Sequence, residues 1–220
     1  ADGWPDDPGF YAYFLRAAYP SVTIECLEDW DDRTGVLLSV DHSAGLLAGE
    51  RVGGWWEPVR AAVLKFAGAQ EGVASEMQIY REFQKTLDTV HATESSLVSL
   101  PMPKKIVVTY VSRQAGGRRK LTEDSHKSLV DSLQEMSERR GIEFILMEAE
   151  KLSKDEQLQL IAKTTILLGV HGNGLTHLVF MPPTRASTVI EIFYPGGFAH
   201  DYHWTARALG MSHFAVWNDT

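Results

Sequence analysis

A chain of 220 residues that is 44% hydrophobic and 23% charged has the apolar content for a real core and is not a disordered tail. The formal net charge of −8 argues against a general nucleic-acid binder. The single cysteine, Cys26, excludes an intrachain disulfide framework and a cysteine-based zinc site. No window reaches the ~18 apolar residues of a membrane span, and no signal-peptide pattern opens the chain. With alanine first and ADGWPDDPGF reading as irregular chain, the expectation is a processed or truncated piece of a longer protein.

Residues 1–100 are read as a partial first lobe. Val22 to Leu27 and Val36 to Val40 are short strand candidates on either side of an acidic turn, and Trp55 to Ala67 has the large apolar residues of a packed helix. Glu76 to His91 reads as a helix, since Ser75 and Gln78 form a capping box and Ile79, Phe83, Leu87 and Val90 recur at helical spacing. Ser95 to Pro103 has the serines and prolines of a connection, which places the boundary between lobes 1–100 and 101–220.

The second lobe is more regular. Lys105 to Ser112 is a β-branched strand, and a helix over Thr122 to Arg140 follows, with Thr122 as N-cap, Leu129, Leu133 and Met136 facing inward, and Gly141 closing it. Strand Glu143 to Met147 leads to a helix opened by the Ser153–Glu156 capping box, with Leu158, Ile161 and Ala162 on one face. A charge-free strand then turns through His171, Gly172, Asn173 and Gly174 into a helix-like apolar run that Pro182-Pro183 ends. Strand Thr188 to Phe193, a helix over His200 to Leu209 and strand His213 to Trp217 complete the chain. This alternation predicts an α/β fold, a parallel sheet with helices on both faces, whose ligands bind at the C-terminal ends of the strands.

Three groups of residues sit where such a sheet does chemistry. Between Lys104 and Lys120 there are six basic residues and no carboxylate, in an acidic chain. Arg113 follows a strand end, Arg118, Arg119 and Lys120 precede a helix, and Gly116-Gly117 allow close backbone approach, which suits a diphosphate. The strand–glycine–helix turn at residues 165–177 is the second group, because backbone N–H groups at a helix start attract anions. His171 at its head could donate to a phosphate or sugar, or act as acid or base. Glu191 is the third: a carboxylate inside a strand is costly to bury unless paired, and such glutamates often hold ribose hydroxyls.

Other features carry less. Asp29-Trp30-Asp31 is a D-x-D triplet of the kind that can hold a divalent cation on a nucleotide diphosphate, but it reads more simply as part of an acidic turn. His200 and His203, spaced i, i+3, lack the acidic or cysteine partner of a zinc site. Asn218-Asp219-Thr220 is a glycosylation sequon at the chain's end.

The series SR…GGRRKLTE, GVHGNGLTH and VIEIFYPGG, in that order over residues 104–217, resembles glycosyltransferase family 61. The family includes eukaryotic enzymes that place xylose, arabinose or N-acetylglucosamine on proteins and glycans. The resemblance implies a GT-B-like fold with an incomplete N-terminal lobe and a Rossmann-like parallel-sheet C-terminal lobe. It implies inverting transfer from a UDP-sugar to a hydroxyl on a glycan or glycoprotein, with no cofactor required by the sequence. It also implies a Golgi or ER lumen location as part of a type II membrane protein, the anchor lying outside this chain. By position, Arg113, Arg118, Arg119 and Lys120 would hold the diphosphate, with Gly172, Asn173, Gly174, Leu175 and Thr176 as the phosphate-facing turn and Glu191 on the ribose. Asn173 and His177 depart from the family's usual turn. Asp41-His42, after the Val36 to Val40 strand, is the candidate base, with His171 as a further candidate. A UDP-sugar-binding module without catalysis and a nucleotide-sugar epimerase are the alternatives.

Overall fold

The computed structural model describes residues 10–20, 56–69, 100–115 and 119–217. The expected strands Val22 to Leu27 and Val36 to Val40 lie outside these residues, as do the expected helix Glu76 to His91 and the Asp29–Asp31 triplet. Asp41, His42, Arg118 and the terminal sequon lie outside them too.

The elements are α1 (Tyr11–Ala18), α2 (Glu57–Phe66), β1 (Val107–Ser112), α3 (Glu123–Arg140), β2 (Glu143–Glu148), α4 (Lys154–Ile161), β3 (Ile166–Val170), a 3-10 helix (Asn173–Phe180), β4 (Thr188–Ile192), α5 (Asp201–Ala208) and β5 (Ser212–Val216). The five strands form one sheet in the order β2-β1-β3-β4-β5, and every neighbouring pair is parallel. The α/β expectation with a parallel sheet holds, and each strand and helix expected after residue 104 is present within a few residues of its expected ends, except that the run after His171 is not an α-helix.

Local chemistry explains those ends. Thr122 Oγ1 accepts from Ser125 N at the start of α3, and Gly141 stops the helix at φ 64°, where a side chain would be strained. Ser153 and Glu156 exchange both bonds of the capping box at the start of α4.

The two faces of the sheet are built differently. Val108, Tyr110, Leu168 and Ile190 share one face and pack against Leu129, Val130 and Leu133 of α3. Met136, expected to face inward, is 37% exposed. It lies one step off the helical stripe through Leu129, Val130 and Leu133, and Ser137 takes the half-buried position on its other side. The opposite face carries Val111, Met147, Leu167 and Val189 under α4, the 3-10 helix and α5. Helices α1 and α2 extend this second core. Trp56 Nε1 and Arg60 Nε both donate to Val179 O, at 2.6 and 3.2 Å, and Tyr13 Oη bonds Asp155.

The run after His171 is a 3-10 helix rather than the expected α-helix. Leu175 N donates to Gly172 O at 2.9 Å and Met181 N to Leu178 O at 3.1 Å, both three-residue spans. Two glycines at its start give little support to an α-helix, and the helix lies tight on the sheet. A Cβ on Gly169 would meet Leu175 Cδ2 at 3.1 Å, and one on Gly174 would meet Val111 Cγ1 at 3.0 Å.

Candidate nucleotide-sugar site

In the strand order 2-1-3-4-5 the connections leave β1 and β3 in opposite directions, and the crevice above their C-terminal ends is where such sheets take ligands. Arg113 is the first residue past β1 and His171 the first past β3. The structure joins them, with Arg113 Nη1 donating to His171 O at 3.2 Å.

Gly172 makes that approach possible. Its backbone sits at φ 134°, ψ −177°, a conformation that glycine alone adopts without strain. A Cβ there would lie 1.9 Å from Arg113 Nη1 and 3.5 Å from Arg119 Cζ. Two guanidinium groups therefore gather over one glycine at the switch point. The N–H groups of Asn173 and Gly174 precede the first bond of the 3-10 helix and add donors beside them. Next to Arg113, Gln114 Nε2 donates to Leu121 O, while Gln114 Oε1 is buried with no hydrogen-bond partner among the described residues. This arrangement can hold a diphosphate through bidentate arginine contacts.

The expected basic cluster is thereby divided. Arg113 and Arg119 converge on Gly172, whereas Lys104 and Lys105 lie at the opposite end of β1. Lys105 and Lys163 both pair with Glu143 at 2.9 Å, and these two hydrogen bonds hold the Glu143 carboxyl below the usual carboxylate range. Lys120 is exposed.

The turn residues also separate. Leu175 is fully buried against Gly169 and its N–H is bonded to Gly172, so it belongs to the core rather than to the cleft. Asn173 and Thr176 line an apolar pocket of about 320 Å³ shared with Phe10, Phe14, Trp56 and Phe180. Burial raises the Tyr202 phenol above its ordinary range, and a hydrogen bond with Thr176 offsets part of the rise.

Glu191 has no exposed surface. Its Oε1 is 2.5 Å from His171 Nδ1 and its Oε2 is 2.8 Å from His213 Nε2. Both oxygens are occupied by imidazoles, so in this arrangement none is presented to a ribose. The expected ribose contact gives way to a carboxylate that orients His171. The His171 ring stacks on Phe193 with centroids 5.1 Å apart and meets Tyr202 edge-on at 5.8 Å. His213 is the residue sequence reasoning missed. The sequence signals only that a buried strand carboxylate requires a partner; that the partner comes from β5 follows from the strand order, which places β5 beside β4.

His177 has a different fate. It is buried, with Nδ1 2.8 Å from Gly174 O and Nε2 2.9 Å from Gln157 Oε1, and burial pushes its pKa down. Among the described residues no group of three histidines, cysteines or carboxylates could hold a metal ion. Likewise, no helix among them is long and apolar enough to cross a membrane.

Residues 66–190, more than half of the chain, match the family model for Glycosyltransferase 61. The chain belongs to glycosyltransferase family 61. Three curated relatives carry the name EGF domain-specific O-linked N-acetylglucosamine transferase. The protein from Drosophila melanogaster is 35% identical over 82 residues, which is 37% of this chain and 15% of the relative. Those from Bos taurus and Mus musculus are 31% and 32% identical over 140 and 142 residues, 63% of this chain and 24% of each relative. This family 61 chain thus spans a quarter or less of the length of these relatives. The match takes in β1 to β3 and the start of β4, and so includes Arg113, Arg119, His171 and Gly172, and ends just before Glu191. Glycosyl transfer is the chemistry that gives the family its name.

Proposed function

We propose that the chain is the donor-binding lobe of a GT-B-like, inverting glycosyltransferase that moves a sugar from a UDP-sugar to a hydroxyl on a glycoprotein or glycan. The observation that carries this reading is the convergence of Arg113 and Arg119 on Gly172 at the switch point of a parallel sheet. Sugar transfer from a nucleotide donor breaks the bond between the anomeric carbon and a diphosphate oxygen, and negative charge builds on that leaving group. Fixed guanidinium groups and backbone N–H donors stabilise such charge without reorganising as the bond breaks. The names of the relatives make UDP-N-acetylglucosamine, with an EGF-like domain as acceptor, the first substrate pair to test. Asp41 and His42, the expected base, lie outside the described residues and keep that role as part of the proposal. So does a location in the Golgi or ER lumen.

Calorimetry with UDP tests the donor site. The double variant Arg113→Ala, Arg119→Ala removes two charge-assisted contacts worth about 1.5–3 kcal/mol each, so UDP affinity should fall about a hundredfold or more with the circular dichroism unchanged. Unchanged affinity would refute the assignment. Incubation of the chain with UDP-N-acetylglucosamine and an EGF-like domain then separates the alternatives. Transfer marks the enzyme, binding without transfer marks a module, and donor interconversion without acceptor marks an epimerase.

A further inference from the structure

A carboxylate with no exposed surface inside a sheet must have its charge compensated. Glu191 has two imidazoles against it, one on each oxygen. A carboxylate accepts only, so each facing nitrogen carries a proton: Nδ1–H of His171 and Nε2–H of His213. With both rings neutral the trio bears one net negative charge, and one further proton neutralises it.

The two rings are unequal places for that proton. The His213 side chain is 4% exposed and its ring lies 5.3 Å from that of His203. Desolvation above all, then the nearby His213, Arg207 and His200, hold the His203 pKa down, so basic groups crowd this end of the trio. The His171 side chain is 20% exposed, and among the described residues nothing bonds its Nε2. The titratable groups around it are Glu191 from β4, Tyr202 with Asp201 beside it from α5, and Arg113 and Arg119 from the loop after β1. Without an anion, the two arginines oppose a positive charge on the ring. A bound diphosphate diester carries two negative charges, which offset that field and put phosphate oxygens beside the ring.

We propose that His171 takes up a proton from solvent when the diphosphate of a nucleotide sugar binds. Its Nδ1–H stays on Glu191 and its Nε2–H donates to a phosphate oxygen, which makes His171 a third cation of the donor site. Glu191 and His213 are positioning residues: the carboxylate holds the ring, and His213 holds the carboxylate. The inference rests on the donor site proposed above.

The test is calorimetry of the intact chain with UDP-N-acetylglucosamine in buffers of different ionisation enthalpy. The diphosphate of this probe is a diester and gains no proton near neutral pH, so any proton taken up belongs to the protein. The expected result is net uptake of up to one proton and an affinity that falls about tenfold between roughly pH 6 and 8. Glu191→Gln should bind more weakly, with affinity independent of pH and no uptake. His213→Gln, whose amide can still donate to the carboxylate, should keep the uptake, and so should His203→Gln. A wild-type chain that binds the probe without uptake, and equally well across this range, overturns the inference and leaves the donor site standing. A wild-type chain that does not bind the probe overturns the donor site itself. Uptake that survives Glu191→Gln, or is lost in His203→Gln, overturns the assignment to His171 and Glu191. Should Glu191→Gln fail to fold, the wild-type uptake alone decides.

Discussion

Two histidines six residues apart, at opposite ends of one glycine-rich segment, show how little the residue type settles. His171 stands at the end of β3 with a buried carboxylate behind its Nδ1 and a guanidinium on its carbonyl. His177 stands six residues further on, in the 3-10 helix, enclosed by Phe10, Gly174 and Gln157, with only neutral partners. A charge on His171 has Glu191 to balance it, whereas a charge on His177 would be buried with nothing to balance it. The first ring is therefore suited to an anion and the second to holding the 3-10 helix on α4. What separates them is the side chain opposite, not the spacing along the chain.

Changes on either side of this divide should have different signatures. The largest effect is expected at Gly172, whose lack of a Cβ admits the arginines to the His171 side. Gly172→Ala forces a side chain to within 1.9 Å of Arg113 Nη1 and into a backbone region costing about 1–3 kcal/mol. UDP affinity should fall at least about a hundredfold and the melting temperature should drop, so wild-type UDP binding in this variant would break the proposed cleft geometry. Next comes the exchange of the two histidines. His177→Ala removes a buried hydrogen bond, since the neutral ring has one N–H for the two acceptor oxygens beside it, and leaves a cavity, so chemical denaturation should show a loss of about 2–4 kcal/mol with UDP affinity within about threefold. His171→Gln keeps a donor for Glu191, so stability should stay within about 1 kcal/mol while UDP-N-acetylglucosamine affinity falls about tenfold. Equal stability losses in both variants would place the two rings in the same class and remove the contrast.

Much of this architecture was legible along the chain because its signals are local. Thr122, Gly141 and the Ser153–Glu156 box fix helix ends through bonds spanning a few residues, and the charge-free β3 announces its burial. Arg113, His171 and Gly172 could be placed at strand ends for the same reason. Contacts set by strand order were not legible. That His213 would reach Glu191 depends on β5 lying beside β4, and no local pattern encodes that neighbour. The 3-10 geometry after Gly172 likewise follows from close packing of Gly174 on Val111 and of Leu175 on Gly169, contacts that exist only once β1 and β3 are side by side. Its place in the motif puts Leu175 in the phosphate-facing turn, whereas the sheet beneath that turn makes it core.

The smallest predicted effect concerns how the His177 side responds to acid. Burial lowers the His177 pKa below its ordinary 6.5, so the folded chain binds fewer protons at this site than the unfolded chain does. The stability it supports is fully present above about pH 6.5 and is lost as pH falls below that value, because the unfolded state gains the proton first. One such group changes unfolding free energy by at most about 1.4 kcal/mol per pH unit. His203 shifts in the same direction, so the wild-type slope alone does not isolate His177. The difference between wild type and His177→Gln does, because glutamine can still bond Gly174 or Gln157 but cannot titrate. Denaturation at roughly pH 7.5 and 5.5 should show the variant losing less stability on acidification than wild type, by about 1 kcal/mol. If the two lost the same amount, His177 would carry its proton in the folded state as readily as in the unfolded one. The neutral, structural half of the comparison would then fail.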